Sequence, residues 1–259
     1  MKTFLTVMIV FLIVTALLGP VLSSYNPHEI KLDSILQTPS SLHWLGTDEN
    51  GRDILSRVLY GARVSLSLSI LVTSISLGFG LIVGFFCAFS GKTVDKVFIV
   101  VSDIFQAFPG TLLAIAVAAF IPPGFLNLLW LLCFVGWVGY ARVVRSQVLS
   151  LKQKEFVEAS LSLGVKRPRL FFKHILPNIF GPVMVQASFG MAGVILTESG
   201  LSFLGLGLPP SIPSWGKMLD AGTSLLLVAP HVALFPGLAV MITILTFNLW
   251  GDYLRDRFS

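Results

Sequence analysis

The sequence predicts an all-α polytopic membrane protein with six transmembrane helices. Of the 259 residues, 54% are hydrophobic and 12% charged, and the mean hydropathy is +0.85. A soluble chain of that length needs more charge to cover its surface. Apolar runs recur at the length of about 20 residues that a helix needs to cross a bilayer. A backbone in lipid must satisfy its own hydrogen bonds, which selects helix for each crossing. The Lys and Arg residues are also spread unevenly over the connecting segments, as the positive-inside rule expects.

The first run, residues 4–22, follows Lys2 and reads either as a membrane crossing or as a signal peptide with a poor cleavage site near Val21 to Ser24. From Ser23 to about Ala62 the chain is polar and turn-rich, with Asn26-Pro27, Thr38-Pro39 and Asn50-Gly51 as breaks. Its last part carries Ile54, Leu55, Val58 and Leu59 on one helical face, and sets Asp53 four residues before Arg57. That pattern predicts a short amphipathic helix with an Asp53–Arg57 pair, lying on the bilayer surface or on the protein surface. Five more spans follow at residues 64–89, 97–121, 125–144, 178–199 and 227–250.

Thirteen of the eighteen Lys and Arg residues fall on one side of this topology, including Lys92, Lys96, Arg142, Arg145, Lys152, Arg255 and Arg257. That side is the cytoplasmic one, and both termini lie on it. The net charge of +5 is read as orientation, and no nucleic-acid motif accompanies it. Cys87 and Cys133 sit in apolar runs, where a thiol behaves as a small hydrophobe, and no Cys/His cluster points to a metal. Gly91-Lys92-Thr93 resembles the end of a phosphate-binding loop, but Phe86 stands where that loop needs its first glycine. No nucleophile, acid/base or metal constellation for an enzyme is present.

The polar island at 151–177 (LKQKEFVEASLSLGVKRPRLFFKHILP) separates spans four and five. It predicts a helix from about Ser150, with Lys154 and Glu158 four apart, ended by Gly164 as a left-handed cap. Pro168 suits the first turn of a second helix, and Pro177 is expected to break or kink that helix. Elsewhere Asp103 lies in span three near the cytoplasmic side, where an ionised carboxylate is expensive, and reads either as half of an interhelical ion pair with Arg142 or Arg145 or as a gating residue of the pathway. Phe105 and Phe108 suit either a translocation path or a lipid-facing surface, and Glu198 is expected at the outer end of span five, solvated at the interface. Pro109-Gly110, Gly181-Pro182 and Pro236-Gly237 allow kinks and close helix contacts. The loop at 201–215 is too apolar for an idle linker, and reads as a re-entrant element, a docking surface or a cap on the bundle.

Glu158-Ala159-Ser160, Gly164 and Leu176-Pro177 resemble the EAA loop of permease subunits in binding-protein-dependent ABC importers. Ser160 and His174 depart from the usual Ala and Ile of that loop. The stretches 45–66, 137–158 and 198–218, with the terminal FNLWGDYLRDRF, resemble the C-type permease subunit of dipeptide, oligopeptide and nickel importers. The resemblance implies a type I ABC importer permease fold, with residues 1–63 as an N-terminal helix plus external segment and residues 64–259 as a five-helix core that includes the coupling loop at 150–177. It implies coupling to a cytoplasmic ATPase through Glu155, Phe156, Glu158, Ala159, Ser160 and Gly164. It also implies a homologous B-type permease as partner, two ATP-binding subunits that use ATP and Mg, and an extracytoplasmic substrate-binding protein. The setting the resemblance implies is a bacterial or archaeal cytoplasmic membrane. The chain itself would bind no cofactor and catalyse no bond chemistry. Peptide import is the function implied, with nickel or a metal chelate as the alternative cargo. A self-contained channel or secondary transporter would need coordinating carboxylates or interrupted helices near the midplane, which are sparse here.

Overall fold

The computed structural model describes residues 2–258, the side chain of Pro20 excepted, as ten α-helices with one isolated bridge, Thr47 to Asp53, and no strand among those residues. Helix α1 (Lys2–Leu22) is apolar all round. It buries Leu5 and Leu12, seven residues apart and so on one face, and leaves Phe4, Phe11 and Leu17 outward. Residues 23–53 then fold into a hydrogen-bonded cap rather than an open loop. Thr47 Oγ1 donates to the Ser34 carbonyl at 2.5 Å, and the buried His43 Nδ1 meets Asp53 Oδ1 at 2.9 Å.

Helix α2 (Ile54–Phe89) has 36 residues, about 54 Å at 1.5 Å per residue. Asp53 caps it, accepting from the Ser56 N–H at 2.8 Å and the Ser56 hydroxyl at 2.7 Å. Two expectations are corrected here. The short helix at 54–62 is not separate, because nothing between Ile54 and Leu66 stops the helix, so position 63/64 lies inside one continuous element. The Asp53–Arg57 pair is not made either. Asp53 is occupied as the cap, and Arg57 turns to Asp48 at 3.4 Å and the Pro27 carbonyl at 3.3 Å.

The expected single span at 97–121 is two helices, α3 (Lys92–Ala107) and α4 (Gly110–Ala118), bent by 79°. Pro109 is the reason: it drives Phe108 into extended backbone and offers no N–H to continue the helix. With this pair taken as one broken span, the described residues hold six candidate spans. The other five are α1, α2, α5 (Phe125–Lys152), the segment Arg167–Phe203 and α10 (His231–Phe258). Helix α5 packs along α2 because small residues line the seam. A Cβ on Gly80 would sit 2.6 Å from that of Tyr140, and one on Gly84 would sit 2.6 Å from the Ala141 carbonyl oxygen.

After α5 come α6 (Glu155–Ser162), the short α7 (Arg167–Leu170), a π turn (Phe171–Ile175) and α8 (Leu176–Phe203). The first loop helix therefore starts at Glu155 rather than Ser150, because α5 itself runs through Lys152. Pro177 does not break the second helix. The Leu176 N–H reaches back five residues to the Phe171 carbonyl, and this wider turn accommodates the proline ring. Helix α9 (Trp215–Thr223) lies against α8 and α10. The apolar loop before it buries Leu208 on the cluster formed by α2, α4 and α5, so it caps the bundle.

Candidate functional site

The chain gathers its basic residues at one end of the bundle, where α2 and α5 finish and α6 to α8 begin. Lys152 Nζ donates to the Ala88 carbonyl at 3.2 Å, and Val157, Leu170, Phe171 and Ile175 pack with Phe89, Val144, Val148 and Ile179. Helix α6 is thus seated by one residue, Val157, which is fully buried. Its other faces are open: Glu155, Phe156, Glu158 and Ala159 are exposed, and Ser160 is half-buried. Phe156 is 40% exposed and Leu163 is 83% exposed. Two carboxylates in the first turn of a helix complement its dipole, and Glu158 forms no ion pair among the described residues.

Gly164 ends α6 as the sequence requires. Its φ is +76°, the Val165 N–H bonds to the Ser160 carbonyl at 3.1 Å, and the Gly164 N–H bonds to the Leu161 carbonyl at 3.0 Å. That pair of bonds is the Schellman closure, which fixes the turn without a side chain. Ser160, standing where the resembled loop has Ala, folds its hydroxyl back onto the Phe156 carbonyl at 2.7 Å, so it adds no outward polar group. Glu155, Phe156, Glu158, Ala159, Ser160 and Gly164 therefore form one small knob.

Asp103 pairs with Arg142, and Arg142 also donates to the Ser102 hydroxyl at 3.0 and 2.9 Å. One turn further along α5, Arg145 pairs with Asp95, with Nη2 at 2.6 Å from Oδ2. The expected interhelical ion pair is present, and with its neighbour it ties α3 to α5 at the basic end. Phe105 meets Phe134 and Trp137 edge to face, at centroid distances of 5.3 and 5.9 Å. Phe108 is exposed at the bend between α3 and α4. Asp95 and Ser102 were not singled out from the sequence. Their partners lie 50 and 40 residues away, and no local pattern marks such pairs.

Glu198 is not solvated. It is 1% exposed, and it accepts from the Ser202 hydroxyl at 2.9 Å and the Ser65 hydroxyl at 3.3 Å. The correction has a local cause: α8 runs five residues past Glu198, and the loop after it folds back over the carboxyl. Trp215, at the start of α9, is buried with Nε1 donating to the Val58 carbonyl at 3.0 Å, which holds that loop against α2. Glu198 and the knob residues thus lie at opposite ends of the bundle. Among the described residues no cluster of His, Cys, Asp and Glu has the geometry to hold a metal ion.

Comparison with known proteins places this architecture. Residues 80–259 match the family described as binding-protein-dependent transport system inner membrane component. The chain is 40% identical over 250 residues to the dipeptide transport system permease protein DppC of Alkalihalophilus pseudofirmus, covering 96% of this chain and 82% of that one. It is 41% identical over 224 residues to the glutathione transport system permease protein GsiD of Pectobacterium atrosepticum, covering 86% and 74%. With the oligopeptide transport system permease protein OppC of Bacillus subtilis it is 38% identical over 250 residues, covering 96% and 82%. In fold it is similar to a chain of the inward-facing MetNI methionine ABC transporter, with a TM-score of 0.61 at 15% identity, covering 78% and 96%. The chain belongs to the family of inner-membrane permease components of binding-protein-dependent transport systems.

Proposed function

We propose that this chain is the permease subunit of an ATP-driven importer of peptides and forms half of the translocation pathway. The observation that carries the coupling role is the knob at the basic end. Helix α6 is anchored through Val157 while Phe156, Leu161 and Leu163 face outward, uncovered by any of the described residues. A rigid knob with an apolar tip and two carboxylates fits a groove on a cytoplasmic ATP-binding subunit, which supplies the ATP and Mg chemistry. Closure of two such subunits on ATP would push the knob and shift the bundle between inward-open and outward-open states, the permease converting nucleotide binding into a population shift. The two ion pairs between α3 and α5 brace the helices that receive this push.

The remaining parts follow from the same reading. A homologous B-type permease completes the pathway, an extracytoplasmic binding protein delivers the cargo, and the basic end with both termini faces the cytoplasm of a bacterial or archaeal cell. Peptide cargo is supported by relatives whose names specify dipeptide, oligopeptide and glutathione transport. The test is binding-protein-stimulated ATP hydrolysis by the assembled importer. Glu158→Lys and Gly164→Pro should each abolish the stimulation while the complex still assembles. Stimulation equal to that of the unmodified complex would refute the coupling role.

A further inference from the structure

We propose that a groove between α1, α2, α8 and α10 holds one phospholipid, its acyl chain along the helices and its phosphate on Arg63, with an anionic headgroup preferred over a zwitterionic one. The groove has a volume of about 420 Å³, within the range of roughly 300–1,000 Å³ of clefts that take small ligands. It belongs neither to the knob at the basic end nor to the ion pairs between α3 and α5.

Charge marks one end of the groove. Of the basic residues at the end of the bundle that carries α9, Lys31 pairs with Glu29, Arg52 and Arg57 with Asp48, and Lys217 with Asp220. Arg63, at the same end, is exposed and forms no ion pair among the described residues. Its depth makes an anion necessary. A Cβ on Gly19 of α1 would sit 3.1 Å from that of Leu59, so α1 and α2 are level there, close to the end of the apolar α1 at Leu22. Arg63 stands one turn further in along α2, roughly 6 Å. A guanidinium just inside the apolar boundary of a span is expensive unless it is paired, and its long stem lets it reach the phosphates of the lipid surface.

Below Arg63 the wall suits a hydrocarbon chain. Leu12 and Ile13 of α1, Ile70 of α2, Met184 and Met191 of α8 and Leu254 of α10 line it, and Arg63 is its one charged residue. Its two serines are already bonded: Ser67 donates to the Val64 carbonyl at 3.0 Å and Ser188 to the Phe247 carbonyl at 2.6 Å. The methionines adapt their shape at little cost, as a flexible chain requires. Helix register gives the length. Ser69 donates to the Met191 carbonyl at 3.0 Å, and Arg63 on α2 and Met184 on α8 lie on opposite sides of that level, roughly 20 Å apart along the bundle. One leaflet is half of a hydrocarbon core of about 30 Å, so the groove accommodates a full acyl chain. A phospholipid brings both parts together, an anion at the boundary and a chain below it.

The experiment follows Trp250, which lines the groove, in the assembled importer held in detergent. Phospholipids with brominated acyl chains quench an indole they touch, and subtracting the signal of the Trp250→Phe importer isolates this indole from the other tryptophans. Phosphatidylglycerol should quench at about fivefold lower concentration than phosphatidylcholine with the same chains, the scale of one basic residue at an anionic lipid surface. Arg63→Gln should bring the two lipids to the same concentration, while Arg63→Lys, which keeps the charge, should keep the preference. Ala16→Phe, which fills the groove, should weaken both lipids alike. Inorganic phosphate should leave the quenching in place. Equal quenching by the two lipids in the unmodified importer, or a preference that survives Arg63→Gln, would overturn the site. So would displacement by inorganic phosphate, which would make Arg63 a seat for a free anion, and so would the absence of Trp250 quenching by either lipid, the result expected if a second permease covers the groove.

Discussion

At the end of the bundle that carries α9, the chain closes its own surface. Glu198 lies under a folded-back loop with Ser65 and Ser202 bonded to it, Trp215 is buried against α2, and His43, Asp48, Asp53 and Arg57 form a buried network. At the basic end the chain leaves its surface open: α6 rests on Val157 alone and presents Phe156 and Leu163 outward. The difference teaches where stability and function reside. A buried, satisfied network is what a fold needs for itself, whereas an anchored helix with uncovered apolar side chains is what the proposed ATP-binding subunit would cover. Substitutions at the closed end should therefore act on folding, and substitutions at the open end on coupling.

The largest effect should come from the closed end. Trp215→Ala removes a fully buried indole and its bond to Val58, and should destabilise the chain by about 3–5 kcal/mol, read as thermal or denaturant unfolding in detergent. Glu198→Leu should cost about 1–3 kcal/mol, because the Ser65 and Ser202 hydroxyls lose their acceptor. Glu198→Gln, which keeps an acceptor of the same size, should cost less. If the two replacements prove equal, the serine contacts contribute nothing.

Smaller effects are expected where the two ends meet the helices between them. The Asp95–Arg145 pair is partly exposed, so Asp95→Asn should lower stability by about 1 kcal/mol or less. Salt should narrow the gap to the unmodified chain, since screening weakens the pair. Leu163→Ala lies at the tip of the knob, and its stability should stay within about 0.5 kcal/mol of the unmodified chain. Coupled ATP hydrolysis should nevertheless fall, and that split separates an interaction surface from a structural one.

Much of this contrast was legible in the sequence, because its signals were local. The basic island, Gly164 as a left-handed cap and Pro168 in a first helical turn all describe neighbours along the chain, and the knob followed from them. The number of spans was legible from hydropathy, while their shapes were not. Pro109-Gly110 allowed a kink but not the full break of 79° that splits the span, and Pro177 suggested a break that a π turn absorbs. Glu198 was misread because its environment depends on residues 133 positions away and on a loop that folds back over it. The same limit hid Asp95 and Ser102, neither of which is marked by spacing.

The central claim is that the knob is completed by an ATP-binding subunit, and cross-linking tests it most directly. Cys87 and Cys133 are both buried, so a cysteine introduced as Leu163→Cys is the exposed thiol. In the assembled importer, a thiol-reactive cross-linker of short reach should join this position to the ATP-binding subunit in high yield, and Gly164→Pro in the same chain should reduce that yield sharply. A cross-link to lipid or to the second permease, with none to the ATP-binding subunit, would contradict the account.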